Sequence, residues 1–159
     1  MMRRGSNNTK GIDKVSVHLQ YDYCDLLHRL RQFFIFEVCR DETVQENGEF
    51  RCETFSPRNK TEQYLIYDYK CPETIIGYVL ITRNTIHIGN GWHISEMMIL
   101  PKYRGKGYGM DAISHIIDIH KYERIEVCPS DNGSEAFWDK VAERFKGYKE
   151  DGFIIVNNV

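Results

Sequence analysis

Gly105, Gly107 and Gly109 alternate along the chain, with Arg104 and Lys106 placed before and between them. Glycine lets successive backbone N–H groups turn toward one point, and neighbouring cations add positive charge, so this stretch is suited to hold an anion. The flanking residues fit the same purpose. Ile94 and then Met97 to Leu100 form an apolar strand-like run, stopped at Pro101, whose missing N–H cannot serve a sheet ladder. Met110, Ile113, Ile116, Ile117 and His120 then recur at helical spacing. A strand, a glycine-rich turn and a helix in that order bring unpaired N–H groups and the positive end of the helix dipole to the turn. Two common nucleotide loops do not fit. A Walker loop needs GxxxxGK followed by Ser or Thr, and the dinucleotide fingerprint needs glycine at 105, 107 and 110, where position 110 is Met110. What stands here is Arg-x-x-Gly-x-Gly, from Arg104 to Gly109.

Other groups with chemical potential read as structural. Cys128 follows an apolar strand with no histidine at a telling spacing, so it is an inert thiol. Asp111 and His115 are four apart on one helix face and form a local pair, and no metal is expected. The charged run from Arg40 to Arg51 is a solvated surface. The five cysteines are odd in number, widely spaced and free of any CxxC, which predicts free thiols in a reducing, cytoplasmic setting. A net charge of −2 does not indicate a nucleic-acid partner, and no apolar run reaches membrane-spanning length.

The elements that must position the loop follow from pattern. Val15 to Leu19 alternates as a strand. Leu26, Leu27, Leu30, Phe33 and Phe34 predict a helix over Cys24 to Phe36 that lays its stripe on a sheet. Gln63 to Tyr69 and Thr74 to Thr82 read as a hairpin, with Gly77 marking a bulge or a close backbone approach. Arg40 to Asn59 reads as an irregular or short-strand segment near the substrate entrance, and Gly89 to Gly91 as a turn. Arg124 to Cys128 is a short strand, Ser134 to Phe145 a helix, and Phe153 to Val156 a last strand. Residues 1–10 read as a polar leader and residues 11–159 as one domain.

The loop, this order of elements, and the segment from Ile125 through Asn132 to Ala136-Phe137-Trp138 resemble the GNAT (general N-acetyltransferase) superfamily. Glu96-Met-Met-Ile, Lys102-Tyr103-Arg104 and the Phe-Trp pair are similar to a group of bacterial proteins predicted to be acetyltransferases. The resemblance implies an α+β fold, an α/β/α sandwich whose mixed, mostly antiparallel sheet opens as a V between two parallel strands. It implies acetyl-coenzyme A as co-substrate, with the pantetheine arm along the main chain of Met97, Met98, Ile99 and Leu100. The pyrophosphate would lie on Arg104, Gly105, Lys106, Gly107, Tyr108 and Gly109, and Asn132, Phe137 and Trp138 would line the arm. It places a general base at Glu96, with a structural carboxylate bonded to a neighbouring strand or loop as the other reading of that residue. His93 is a candidate relay, although a regular strand would turn it to the opposite face. Trp138 stands where tyrosine usually supplies the proton to the thiolate, and indole is no such acid, so the proton comes either from water or from Tyr108, Tyr103 or a substrate-side residue, with Tyr108 the candidate catalytic residue. Two readings are open: an enzyme, monomeric or dimeric, that acetylates a small-molecule or protein amine, and a catalytically silent coenzyme-A-binding module.

Overall fold

From Ile76 to Ile81 every side chain is apolar except at Gly77, the pattern of a strand covered on both faces. The computed structural model describes residues 13–21, 24–38, 61–83, 91–129 and 132–157. In it this run lies within β3 (Ile75–Arg83), in the middle of a seven-stranded sheet. The order is β1 (Val15–Gln20), β2 (Thr61–Asp68), β3, β4 (Gly91–Ile99), β5 (Arg124–Val127), β7 (Phe153–Asn157), β6 (Tyr148–Glu150). All neighbours run antiparallel except β4 and β5. The expected leader, the segment from Arg40 to Asn59 and the turn residues 89 and 90 lie outside the described residues.

Among the described residues, three helices cover the two faces. Leu27 and Leu30 of α1 (Asp25–Val38) pack on Leu65, Tyr78, Leu80 and Met98. On the other face α2 (Tyr108–Ile119) buries Ala112, Ile113 and Ile116, and α3 (Asn132–Arg144) buries Trp138 and Val141, against Val79, Ile81, Ile94 and Ile125. The α/β/α layering thus follows from alternation in the strands and from one apolar stripe per helix. The stripe of α1 differs from the expectation: Leu26 and Phe33 are exposed, while Arg31 is buried among the leucines. Both readings of Gly77 hold. The β2–β3 register slips beside it, and a Cβ on it would lie 1.9 Å from the Met98 carbonyl oxygen.

At the end of the sheet away from the glycine loop, a half-buried polar cluster borders the core. Glu123 accepts from Trp92 Nε1 and, at 2.5 Å, from Arg83, whose guanidinium lies over the Trp92 ring. His120 sits with Nδ1 3.2 Å from Glu123 and Nε2 3.0 Å from Glu62. Partial burial raises the Glu123 carboxyl, but the bonds from Arg83 and Trp92 and the charges of Arg83 and His120 together hold it below its ordinary value.

Candidate active site

The strand that leads into the glycine loop changes face partway along. Leu80 pairs with Glu96 and Ile81 with Ile94, so Ser95 is an extra residue on β4, and its hydroxyl lies 2.7 Å from that of Thr82. Such a bulge reverses the alternation beyond it. Trp92 and Ile94 before it, and Met97 and Ile99 after it, all belong to the α2–α3 side, whereas Met98 belongs to the α1 side. His93 and Glu96 therefore share the α1 face, contrary to the expectation for a regular strand.

The bulge also marks where β4 and β5 part. Their ladder holds four pairs, from Gly91 with Arg124 to Ile94 with Val127. Beyond it, residues 95–99 take no strand partner on that side among the described residues. A cleft of about 790 Å³ occupies the opening. Met97 and Ile99 reach it from one face and Met98 and Phe34 from the other, so it passes through the sheet. At its far end it is bounded by Arg104, Gly105, Gly107, Tyr108 and Gly109, and along its side by Phe137 and Trp138.

A short 3₁₀ turn, Pro101–Tyr103, carries the chain from β4 into the loop. Gly105 and Gly107 have φ of 73° and 85°, in the left-handed region where a side chain is strained. Gly107 caps α2, whose first turn then faces the cleft. Gly109 is needed for a different reason: a Cβ there would stand 3.2 Å from the Phe137 ring. The Arg104 side chain folds back to donate from Nε to the Ile99 carbonyl at 2.7 Å, which fixes the corner between strand and loop. The expected residues do not all line the cleft. The Leu100 N–H is taken by the Ile76 carbonyl and its side chain packs toward α1. Lys106 presents its carbonyl to Lys14 Nζ at 2.7 Å. Asn132 is the first residue of α3, and its side chain lies outside the described ones.

Glu96 is held from two sides. Arg31, 1 % exposed, donates from Nε at 2.9 Å and from Nη2 at 2.6 Å, and the Tyr78 hydroxyl donates at 3.1 Å. Burial, and then the charge of Glu96, push the Tyr78 phenol far above its usual range, so it stays protonated and serves as a donor. The forked guanidinium and the phenol together engage both carboxylate oxygens and fix the Glu96 side chain in place. Next along the same face, His93 Nδ1 stands 3.3 Å from Glu126, whose side chain is buried. Trp138 is buried and packs edge-to-face on Phe137, with centroids 4.9 Å apart. Tyr108 meets Tyr103 in the same way at 5.7 Å.

Sequence reasoning missed Arg31 and Lys14. The first carried a signal: Leu27, Leu30, Arg31 and Phe34 form an i, i+3, i+4, i+7 stripe with a cation inside it. Lys14 carried none, because its contact with the loop spans nearly the whole domain.

A family model for the acetyltransferase (GNAT) family matches residues 24–142. No curated protein matches the sequence. Among solved structures, the chain is similar to Escherichia coli ElaA at 14% identity and a TM-score of 0.56, covering 89% of this chain and 96% of that one. A Bacillus subtilis acetyltransferase in complex with CoA matches at 15% identity and a TM-score of 0.53, over 92% and 100%. A tandem GNAT protein from the clavulanic acid biosynthesis pathway matches at 14% identity and 0.55, over 87% of this chain and 45% of that one. These likenesses are of fold. Together with the family match and the parted parallel strands, they identify the chain as a member of the GNAT acetyltransferase family.

Proposed function

We propose that the chain transfers the acetyl group of acetyl-coenzyme A to a primary amine by direct attack within a ternary complex. The observation that carries this reading is the cleft through the sheet, with an unpaired strand edge along it and a left-handed glycine loop at its end. Amide groups of a pantetheine arm suit the first, and phosphate oxygens suit the second. Met97, Met98, Ile99, Phe137 and Trp138 would hold the arm, Asn132 would bond it, and Arg104 to Gly109 would take the pyrophosphate, with Leu100 and Lys106 shaping the corner. The amine nitrogen attacks the thioester carbon, the C–S bond breaks, and the thiolate takes a proton.

Glu96, held in place by Arg31 and Tyr78, suits attraction of the acceptor amine and receipt of its proton through water. Tyr108 is the hydroxyl assigned to the departing thiolate. The acceptor is a small molecule or a protein amine. One observation favours the silent module instead: both Glu96 oxygens are engaged within the protein. Titration calorimetry with coenzyme A, followed by free-thiol release from acetyl-coenzyme A against a panel of amines, separates the two. Binding with turnover supports the enzyme; binding with no turnover on any amine supports the module; absence of binding removes both.

A further inference from the structure

Outside the cleft, the first residues before β1 meet the exposed side of α2. Asp13, Asp111 and His115 each bring one ligand-type atom to a common point, all within 4.8 Å of one another. His115 Nε2 is 3.6 Å from Asp111 Oδ2 and 3.8 Å from Asp13 Oδ1. Both gaps are too long for hydrogen bonds. Nε2 is nevertheless shielded from solvent and has no hydrogen-bond partner among the described residues. Two carboxylates thus stand within ion-pair distance of a ring nitrogen that hydrogen-bonds to neither.

We propose that Asp13, Asp111 and His115 bind a divalent first-row transition ion. One imidazole with two carboxylates suits zinc or a neighbour in that row better than magnesium or calcium, which prefer oxygen alone. Ligand atoms about 2.1 Å from one tetrahedral ion stand about 3.4 Å apart, so the gaps around His115 close by a few tenths of an ångström and the widest separation in the set, within 4.8 Å, by up to about 1.4 Å. The Asp111 carboxylate is already oriented. Its Oδ2 accepts the backbone N–H groups of Lys14 and Val15, each at 3.0 Å, which is how outer contacts commonly fix a ligating carboxylate. The three side chains are between about a quarter and two fifths exposed, which gives an ion a way in and leaves room for water to complete its shell. Asp13 comes from the far end of the chain, so the spacing within α2 alone did not reveal the set. The bound ion would clip the start of β1 to α2.

The test uses the full chain stripped of metal. Zinc titrated by calorimetry should saturate at one equivalent and raise the melting temperature, since an ion that binds only the folded state stabilises it. Cobalt should give visible bands without the near-ultraviolet charge-transfer band of thiolate ligation, which separates this site from the five cysteines. His115→Ala and Asp13→Asn should each lose binding at least tenfold while keeping the circular dichroism of the parent. Asp111 is left intact because it also holds β1. No saturable binding, parent-like binding in either variant, or a thiolate band would overturn the proposal.

Discussion

Replacing Arg31 by methionine removes a cation that is 1 % exposed and leaves the Glu96 carboxylate, 16% exposed, without its fork. The Tyr78 hydroxyl remains as a donor but carries no charge. Breaking a buried pair on one side costs about 3–5 kcal/mol, because the remaining charge is stranded. The partial exposure of Glu96 places this case at the low end, near ~3 kcal/mol. That is about a hundredfold in the folding equilibrium. For a chain of this size it lowers the melting temperature by about 6–12 °C. The assay is urea and thermal unfolding of the parent, Arg31→Met, Glu96→Gln and the double variant. Removing both charges should recover most of the loss, so the cycle should give a coupling energy well outside additivity. An Arg31→Met protein within about 0.5 kcal/mol of the parent, the usual scatter for surface changes, would refute the reasoning. So would a double variant no more stable than the single one.

Three further outcomes follow from the same geometry. Gly77→Ala should fail to give a soluble, cooperatively unfolding protein, because its Cβ would overlap the Met98 carbonyl across β3 and β4; a normal denaturation curve would contradict the packing. Gly107→Val should fold with a strain penalty of about 1–2 kcal/mol from its positive φ and should lose coenzyme A in calorimetry; the lysine end that faces it can move aside. The third outcome concerns Glu123, whose folded carboxyl titrates below its ordinary 4.5. Its contribution is therefore complete above that value and lost as pH falls through the lower folded one. The stability gap between the parent and Glu123→Gln should be constant from pH 7 to 5 and shrink below about 4.5 in acid unfolding curves.

Legibility differed with the kind of interaction. Periodicity located α2, β3 and the hairpin within a residue or two, because each buries a regular stripe. The glycine loop was legible because left-handed backbone restricts residue type. Strand β6, Tyr148–Glu150, was not: it is three exposed residues at a sheet edge, and its pairing with Phe153–Ile155 supplies the order. The side reached by His93 depended on the extra residue at Ser95, which no composition signal marks, since bulges arise from pairing and not from propensity. The partner of Glu96 and the companion of Asp111 and His115 lay on distant elements, and contacts of that range are set by tertiary packing alone.

The four rungs between β4 and β5 have a mechanical consequence. The sheet is two plates joined along a short seam, β1 to β4 on one side and β5 to β7 on the other. The ladder ends at Ile94, and beyond it the two plates are joined only through the helices that pack on both, α2 and α3, among the described residues. A molecule lying along the exposed edge of residues 95–99 would act as a splint and lengthen the seam from outside. Ligand affinity and the rigidity of the sheet would then be one property measured in two ways. Backbone amides of Ile125 to Val127, remote from any phosphate, should exchange with solvent more slowly once coenzyme A is bound.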